Sequence, residues 1–388
     1  MGRNNYIISF IVFLLLTIGF VSTGHAYLEE DLGKNENVGI RPVGLPFIKY
    51  SSDFGLMGGG NLSIYNYGDG EIKPYKYLFR LQSLIGGNLD TSSHFFFDAP
   101  EIFGTKFRPQ VRVSFEKISN YNYFGRGNDA KKTGSSSFNE FKRITPGLFV
   151  NVMRKLYGNF YLIGGYLYEQ RVIKAAPSSR LKLNSPLGSS GGRDSELRLG
   201  IAYNSTDDET MPSKGTFTDF YIELPQKWLG SSYSYERFTF TNRNYLKLSR
   251  RLVWGSRFVM KVSGGTVPFY EMAKVGGYIH FDGLGGGATI RGVRQSRVID
   301  ENVYFFNEEL RFFVTDFYIG RQRFDIYLLP FVDFGRVFSG INDLSFANMH
   351  LGGGGGARIC WNKNFIIAPD FGISSEGYGI YFSFRNMF

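Results

Sequence analysis

The chain has 388 residues, a net charge of +10 and 17% aromatic residues, and its mean hydropathy is -0.16. This value is too polar for a bundle of transmembrane helices, whereas 43% hydrophobic residues are too many for a disordered chain. The single cysteine, Cys360, excludes disulfide frameworks and cysteine-based zinc sites. The basic residues are scattered among acidic ones, so we expect no nucleic-acid partner.

The first 26 residues have the pattern of a secretory signal peptide. Arg3 precedes an apolar stretch at 6–21, and Gly24-His25-Ala26 matches a small-residue cleavage site. The apolar stretch is shorter than the roughly 20 residues that a membrane-spanning helix needs. We therefore expect cleavage before Tyr27 and no membrane anchor.

After this point, apolar and polar residues alternate with the period of a β-strand, which places successive side chains on opposite faces. The clearest segments are Val111–Lys117, Glu196–Asn204, Trp254–Ser263 and Tyr304–Thr315. Their second faces carry the charged residues Arg112, Glu116, Arg198, Arg257 and Lys261. The pattern predicts strands with one apolar face and one charged face.

The alternation often continues for about ten residues and is interrupted by segments rich in Gly, Ser, Asn and Asp. Strands of soluble sandwiches are shorter, and this pattern is typical of transmembrane β-barrels. At roughly 20 to 24 residues per strand and loop, the chain accommodates about 16 strands. We predict an all-β fold, an antiparallel transmembrane barrel of 16 strands, with 14 and 18 left open.

Several motifs follow one another in the order found in a known family. They are Pro46–Tyr50, Tyr123–Asn128, Asp207-Asp208 with Pro212–Gly215, Val267–Glu271, Gly276-Gly277, Ile290-Arg291-Gly292-Val293, Glu309–Arg311 and Pro330–Gly335. This series resembles the BamA/TamA-type superfamily of outer-membrane assembly barrels. The resemblance covers nearly the whole chain after the signal peptide. It implies a signal peptide at 1–26, a short periplasmic segment at 27–45 and a barrel domain at 46–388 in the bacterial outer membrane.

The family resemblance also implies that the loop around Arg291 folds into the barrel and that Arg291 pairs with acidic residues there. The alternation in this chain places Asp333, Glu309 and Asp370 on the inner face, so these three are the predicted partners. Arginine suits this role because its planar guanidinium can bind a carboxylate through two hydrogen bonds. A solvated loop arginine is the simpler alternative.

Two features depart from the family pattern. Its members carry periplasmic POTRA domains, but only about 20 residues separate Ala26 from the predicted first strand, around Phe47 to Gly60. We therefore expect a member consisting of the barrel alone. The predicted last strand, Gly379–Phe388, ends in an aromatic assembly signal formed by Ile380, Phe382, Phe384 and Phe388, which Asn386 interrupts.

No catalytic, cofactor or metal site is expected. Gly188–Gly192 matches G-x-S-x-G but lies in a loop, and the hydrolase motif requires a strand before it and a helix after it. His94, His280 and His350 show no catalytic or metal-binding spacing, so we interpret them as loop or surface residues. An outer-membrane hydrolase therefore lacks a nucleophile and a base.

Two functions remain open. By resemblance, the first and last strands would meet at a weak seam that assists insertion of outer-membrane proteins or disturbs the bilayer, with outer-membrane lipids, lipopolysaccharide, nascent outer-membrane proteins and periplasmic proteins as partners. The alternative is a passive pore whose lumen-facing Arg112, Glu116, Arg198, Arg257 and Lys261 favour small anions. An inward-folded loop argues against a wide pore.

Overall fold

A computed structural model describes residues 38–72, 74–278, 280–320, 322–362, 365–383 and 387–388. Sixteen strands form one closed barrel in which every neighbouring pair is antiparallel. The predicted fold class and strand number are confirmed. The predicted signal peptide, residues 27–37 of the predicted periplasmic segment, and Phe384 lie outside the described residues. Within the described ranges, no helix combines the length and apolar character needed to cross a bilayer.

The strands are numbered in chain order, and the two short strands β12 and β13 form a separate hairpin outside the barrel sheet. The strands are Ile40–Ser51 (β1), Gly55–Asn66 (β2), Tyr77–Gly86 (β3), Thr91–Asp98 (β4), Phe107–Asn122 (β5), Glu140–Lys155 (β6), Phe160–Lys174 (β7), Gly191–Asn204 (β8), Gly215–Pro225 (β9), Tyr235–Lys247 (β10), Leu252–Gly265 (β11), Lys274–Val275 (β12), Phe281–Asp282 (β13), Asn302–Ile319 (β14), Gln322–Phe338 (β15), His350–Trp361 (β16), Phe365–Ser374 (β17) and Gly377–Ser383 (β18). Short helices are Ser136–Asn139, Arg180–Asn184 and Phe269–Met272, with 3-10 turns at Gly87–Leu89, Ile102–Gly104, Lys227–Leu229 and Ile341–Asp343.

The predicted alternation determines which side chains face outward. In β8, Leu199 and Ile201 are exposed on the outer surface, whereas Glu196 and Arg198 are fully buried inside the barrel. The four predicted segments lie within β5, β8, β11 and β14. The outer surface is therefore apolar, and the lumen carries the charges.

The two ends of the barrel differ. One end carries the four longest connections, 123–139, 175–190, 266–301 and 339–349, and we call it the long-loop end. The opposite end, which we call the short-turn end, carries turns such as 156–159 and 248–251. Residues 266–301, which contain Arg291, are called the RG loop below.

The start of the barrel differs from the sequence prediction. The range predicted as a single first strand, Phe47 to Gly60, is a hairpin: β1 ends at Ser51 and β2 begins at Gly55. Gly55 has φ +77°, a backbone conformation that glycine adopts readily and that marks the turn. The first strand also begins at Ile40, before the predicted start of the barrel domain at residue 46.

Candidate functional site

The RG loop returns into the lumen and is held there first by apolar packing. Ile290 and Val293 on either side of its tip are buried in a cluster with residues of the barrel wall. The wall residues of this cluster are Val259 of β11, Val303 and Phe305 of β14, and Val337 of β15. These inward-facing apolar residues create a dry patch in an otherwise charged lumen.

Arg291 lies at the loop tip and is fully buried. Its Nε and Nη2 donate to the two carboxylate oxygens of Asp333 at 2.7 and 2.9 Å, which is a bidentate pair. Its Nη1 donates to Glu309 at 2.9 Å and to Asp370 at 3.3 Å. The guanidinium also lies 3.3 Å from the ring centroid of Phe331. The structure thus places Arg291 against all three carboxylates that the sequence suggested.

Two further arginines complete this cluster. Arg311 donates to Glu309 at 3.0 Å, and Arg358 donates to Asp370 at 2.7 Å. The cluster therefore contains three guanidinium groups, those of Arg291, Arg311 and Arg358, and three carboxylates. Burial lowers the pKa of Arg291, but Asp333, Glu309 and Asp370 more than offset this effect, so its pKa is raised and it stays charged.

Glycines allow the loop tip to lie directly on the barrel wall. Gly292 has φ +94°, in the region that favours glycine. A Cβ atom at Gly352 of β16 would lie 2.0 Å from the carbonyl oxygen of Arg291, and one at Gly372 of β17 would lie 2.6 Å from the carbonyl carbon of Arg291. Both wall glycines therefore provide space that the loop backbone occupies.

The start of the RG loop is held by a second ionic cluster. Glu271 follows the Pro268-Phe269 turn and is buried between Arg171 of β7, at 2.5 Å, and Arg237 of β10, at 3.0 Å. Burial raises the pKa of Glu271, but Arg171, Lys274 and Arg237 outweigh burial and lower it overall. Glu271 is therefore a carboxylate, and the loop is fixed at its start as well as at its tip.

His280 lies deeper in the lumen than expected of a loop histidine. Its Nε2 is 2.7 Å from Glu223 and 2.9 Å from the guanidinium of Arg198. Burial and Arg198 lower the pKa of His280 to about 4 against the opposing effect of Glu223. Although Glu196, Glu223 and His280 lie close enough to share an ion, Arg198 and Arg237 already neutralise the two carboxylates. This arrangement disfavours a metal cation.

The junction between β1 and β18, which we call the seam, lies beside the loop tip. Among the described residues, the two strands pair at one position, Ser51 opposite Tyr381, and Ser52 donates to the carbonyl of Ile380 at 3.3 Å. On its other edge, β1 pairs with β2 over its whole length. The barrel is thus closed at the seam by far less backbone pairing than at the neighbouring junction.

The RG loop contacts both sides of the seam from inside. The backbone N–H of Gly292 donates to the hydroxyl of Tyr381 in β18 at 3.2 Å. The backbone N–H of Gln295 donates to Asp53, in the β1–β2 turn, at 2.8 Å. We call these two hydrogen bonds the clasp. The clasp connects the first and last strands through the loop instead of through a ladder.

The lumen retains a cavity of about 400 Å³ between the RG loop and the wall formed by β4 to β7. Arg112 and Glu116 line it, as the pore hypothesis expects. The other three residues of that hypothesis, Arg198, Arg257 and Lys261, are fully buried. Their side chains donate to other polar groups, including the backbone oxygens of the loop, so they do not line an open channel.

The residues of the aromatic signal predicted at the C-terminus do not all lie on one face of the barrel wall. Ile380 and Phe382 alternate with the inward-facing Tyr381, and Phe382 is exposed on the outer surface. Phe388 does not share their face: it is buried against the inner-wall residues Tyr245, Arg257 and Arg311. The prediction that Phe388 shares the face of Ile380 and Phe382 was wrong, because its ring packs on the inner wall of the barrel.

The other motif and the other histidines singled out in the sequence lie in a loop or on barrel strands. At 188–192 a turn leads into β8 and a helix precedes it, the reverse of the order that a hydrolase requires. His350 contacts the carbonyl of Asn128 at 3.2 Å, and His94 lines the lumen cavity. Cys360 is a buried free thiol. Sequence reasoning missed Glu271, Tyr381 and Asp53, although Glu271 lies within a motif that carried the family resemblance.

Comparison with known proteins agrees with this geometry. The Omp85 superfamily domain matches residues 77–369 of the chain. No curated protein sequence matches it.

Solved structures that share the fold include one BamA and two CdiB barrels. BamA from Haemophilus ducreyi lacking POTRA domains 1-3 is 16% identical with a TM-score of 0.55, and the match covers 88% of this chain and 70% of that one. CdiB from Escherichia coli is 11% identical with a TM-score of 0.59, covering 88% and 62%, and CdiB from Acinetobacter baumannii is 12% identical with a TM-score of 0.53, covering 90% and 60%. The chain spans less than two thirds of either CdiB.

Proposed function

The chain belongs to the Omp85 superfamily and forms an outer-membrane barrel of that type, and from this premise we propose that it assists the insertion of other proteins into the outer membrane through its seam. The observation that carries the proposal is the contrast between the two edges of β1. An edge whose N–H and C=O groups are unpaired can add a strand from another chain. Among the described residues, exposing such an edge at the seam requires only the loss of the Ser51–Tyr381 pair and of the hydrogen bonds between Ser52 and Ile380.

The RG loop would act in this mechanism as a fixed support. Arg291 and Glu271 hold its tip and its start to the wall between β7 and β17. The clasp connects this support to both seam strands. Releasing the hydrogen bonds of Tyr381 and Asp53 would free the seam while the ionic clusters keep the loop in the lumen.

No covalent reaction is part of the proposal. Strand exchange at the seam exchanges backbone hydrogen bonds, so it needs neither a cofactor nor a catalytic side chain. The exposed apolar surface of the strands would contact outer-membrane lipids, including lipopolysaccharide on the long-loop side. Nascent outer-membrane proteins are the proposed clients, and periplasmic proteins are the proposed partners for delivery.

A passive pore is the second candidate, and the lumen cavity is the observation that favours it. The guanidinium of Arg112 lies over the ring of Phe96 and lines this cavity, which would favour small anions. The RG loop covers the other three residues of the pore hypothesis, Arg198, Arg257 and Lys261, so we rank this function below insertion. Steady anion conductance in planar bilayers that Arg112→Gln abolishes would support the pore.

The test of insertion uses the purified protein in liposomes. A urea-unfolded eight-stranded outer-membrane protein is diluted onto these vesicles, and its folding is followed by the band shift of the folded form on a gel. We expect folding at least about tenfold faster than on vesicles that contain a barrel of another family at the same density. Equal rates on the two kinds of vesicle would contradict the proposal.

A further inference from the structure

A second open strand edge lies far from the seam, at the short-turn end. β14 pairs with β11 as far as Phe312, and the last bond on this side joins the N–H of Phe313 to Arg251. Beyond this point β14 has no neighbour on this side within the described ranges, because β11 begins at Leu252 and residues 248–251 form the turn that connects it to β10. β14 continues to Ile319 and pairs only with β15. Among the described residues, no strand covers the other edge of 314–319.

All six residues of this segment, which we call the β14 edge, are exposed. The exposed fractions of Phe317 and Ile319 are 43% and 63%. Unpaired backbone groups cost several kcal/mol each in hydrocarbon, so this part of the hairpin belongs outside the bilayer core. Asp316 and Arg323, 3.7 Å apart on its inner face, also require water. The β14 edge therefore projects from the membrane on the side that short turns usually occupy, the periplasmic side.

The two faces of the β14 edge differ in chemistry. Phe317 and Ile319 extend the apolar outer face of the barrel, and Phe317 stacks on Phe324 of β15 at 5.3 Å. Asp316 and Tyr318 lie on the other face with Arg323. A strand added here is favoured if its own residues alternate between apolar and polar. Its apolar side chains then pack beside the apolar face of the β14 edge, and its polar side chains lie beside the polar face.

We infer that the β14 edge is a docking site for an extended segment of an unfolded outer-membrane protein. Strands of such proteins alternate between apolar and polar residues over about ten positions, which is the pattern that this edge presents. Backbone hydrogen bonds would supply affinity without a fixed sequence. Asp316, whose carboxylate is 39% exposed and only loosely paired, favours a basic residue on the polar face of the docked segment.

This inference rests on the proposed function and adds a first contact to it. Three strands, β15, β16 and β17, separate the β14 edge from β18 and the seam. A client held at the β14 edge would be bound to the same barrel as the seam without occupying the seam. Docking and insertion are therefore separable steps at separate edges.

Site-specific photo-cross-linking tests the docking site. The photoreactive residue p-benzoylphenylalanine replaces Phe317 in one protein and Phe324 in another, each in liposomes with the urea-unfolded eight-stranded barrel protein as the probe. The two positions stack on each other on the same face, but β15 is paired on both edges. We expect at least about five times more adduct at Phe317 than at Phe324.

A pair of lysine variants supplies the matched control. Thr315 and Ile326 lie opposite each other on the outer face, Thr315 on the open edge and Ile326 on the covered strand. Thr315→Lys should lower the adduct at Phe317 about fivefold, because lysine on an edge hinders strand addition. Ile326→Lys adds the same charge at the same height and should leave the adduct unchanged.

The outcomes separate this inference from the proposed function. Equal adduct at both positions together with accelerated folding would overturn docking and leave insertion standing. Adduct at Phe317 without accelerated folding would support docking and contradict insertion. Adduct between two copies of the barrel in place of the probe would overturn the client as occupant and identify a second copy instead.

Discussion

The two edges of β1 are closed in different ways. On one edge, Ile40 through Ser51 pair with β2 in an uninterrupted ladder. On the other edge, the described residues of β18 pair with β1 at Ser51 alone, and the RG loop connects the two strands through Asp53 and Tyr381. Backbone pairing holds the first junction, whereas side chains on a buried loop help to hold the second.

The difference indicates where the barrel can open. Separating β1 from β2 requires the loss of a whole ladder of hydrogen bonds, each with a net contribution of about 1 kcal/mol. Among the described residues, opening the seam requires the loss of the Ser51–Tyr381 pair, the two hydrogen bonds between Ser52 and Ile380, and the clasp. The loop can persist through that change, because its ionic clusters involve β7, β10 and β14 to β17 and not β1 or β18.

The largest expected effect comes from removing the loop tip. Arg291→Ala leaves Asp333, Glu309 and Asp370 buried with one cation fewer, at a local cost of about 3–5 kcal/mol. We expect the RG loop to become sensitive to protease in detergent micelles and insertion to slow, while the barrel persists. Wild-type protease resistance together with wild-type activity would contradict this account.

The control for this variant is a more exposed ion pair of the same loop. Arg126 is 44% exposed and pairs with Asp300 at 2.7 Å. Arg126→Ala should cost less than Arg291→Ala, because water can reach the space left by Arg126 and the buried Asp300 keeps its hydrogen bond from the N–H of Glu301. A similar loss of protease resistance in both variants would show that burial of Arg291 is not the cause.

A smaller effect is expected from filling the space under the loop. Gly352→Ala would place a methyl group 2.0 Å from the backbone oxygen of Arg291, so the tip must shift at a cost of about 1–3 kcal/mol. At Gly353, the next residue, the nearest atom is 3.7 Å away. Gly353→Ala is therefore the matched control. The RG loop should be digested faster by protease in Gly352→Ala than in Gly353→Ala. Equal resistance of the two variants would contradict close packing of the loop tip on Gly352.

The clasp itself should contribute less. Tyr381→Phe removes the acceptor of the Gly292 N–H, which corresponds to about 0.5–1.5 kcal/mol. We expect a looser seam, measured as slower disulfide formation between Ser52→Cys and Ile380→Cys. Tyr378→Phe is the control, since Tyr378 is exposed on the same strand. An unchanged rate of disulfide formation in Tyr381→Phe would show that this hydrogen bond does not help to hold the seam closed.

The smallest effect concerns pH. The pKa of His280 is lowered to about 4 in the folded protein, below the unfolded value of about 6.5. Between these values the unfolded chain binds a proton that the folded one does not, so stability falls as the pH falls, by about 0.8 kcal/mol at pH 6. Thermal unfolding in micelles should show this decrease of stability with falling pH, and His280→Gln should reduce the decrease. If the dependence of stability on pH is unchanged in His280→Gln, other titratable groups cause it.

Alternation predicted most of the barrel, and together with the family resemblance it predicted the partners of Arg291. Asp333, Glu309 and Asp370 could be placed because each lies within a regular strand, where parity fixes the face. Phe388 was misplaced: alternation predicted that it shares a face with Ile380 and Phe382, but its ring lies against Tyr245 and Arg257 on the inner wall. The turn at Ser52 to Phe54 was missed because the glycines of β2 obscured the boundary between the two strands.

The contacts of the loop could not be predicted from local patterns. Asp53 and Gln295 are separated by 242 positions, and neither has a neighbour in sequence that signals the contact. The space at Gly352 and Gly372 is occupied by the RG loop, which is distant in sequence. The glycine run of β16 therefore indicated that some backbone approaches closely, but it could not show which segment does. Local sequence specifies faces, whereas closure of the barrel brings distant segments together.

The most direct test of the account is to lock each edge of β1 in turn. Ser52→Cys with Ile380→Cys cross-links the seam, and Tyr50→Cys with Leu56→Cys cross-links the ladder junction, where these residues are paired. Insertion of the unfolded barrel protein is measured before and after oxidation and after reduction. We expect oxidation of the seam to abolish the acceleration reversibly, whereas oxidation of the ladder junction should leave it unchanged. Full acceleration with the seam oxidised would contradict the account.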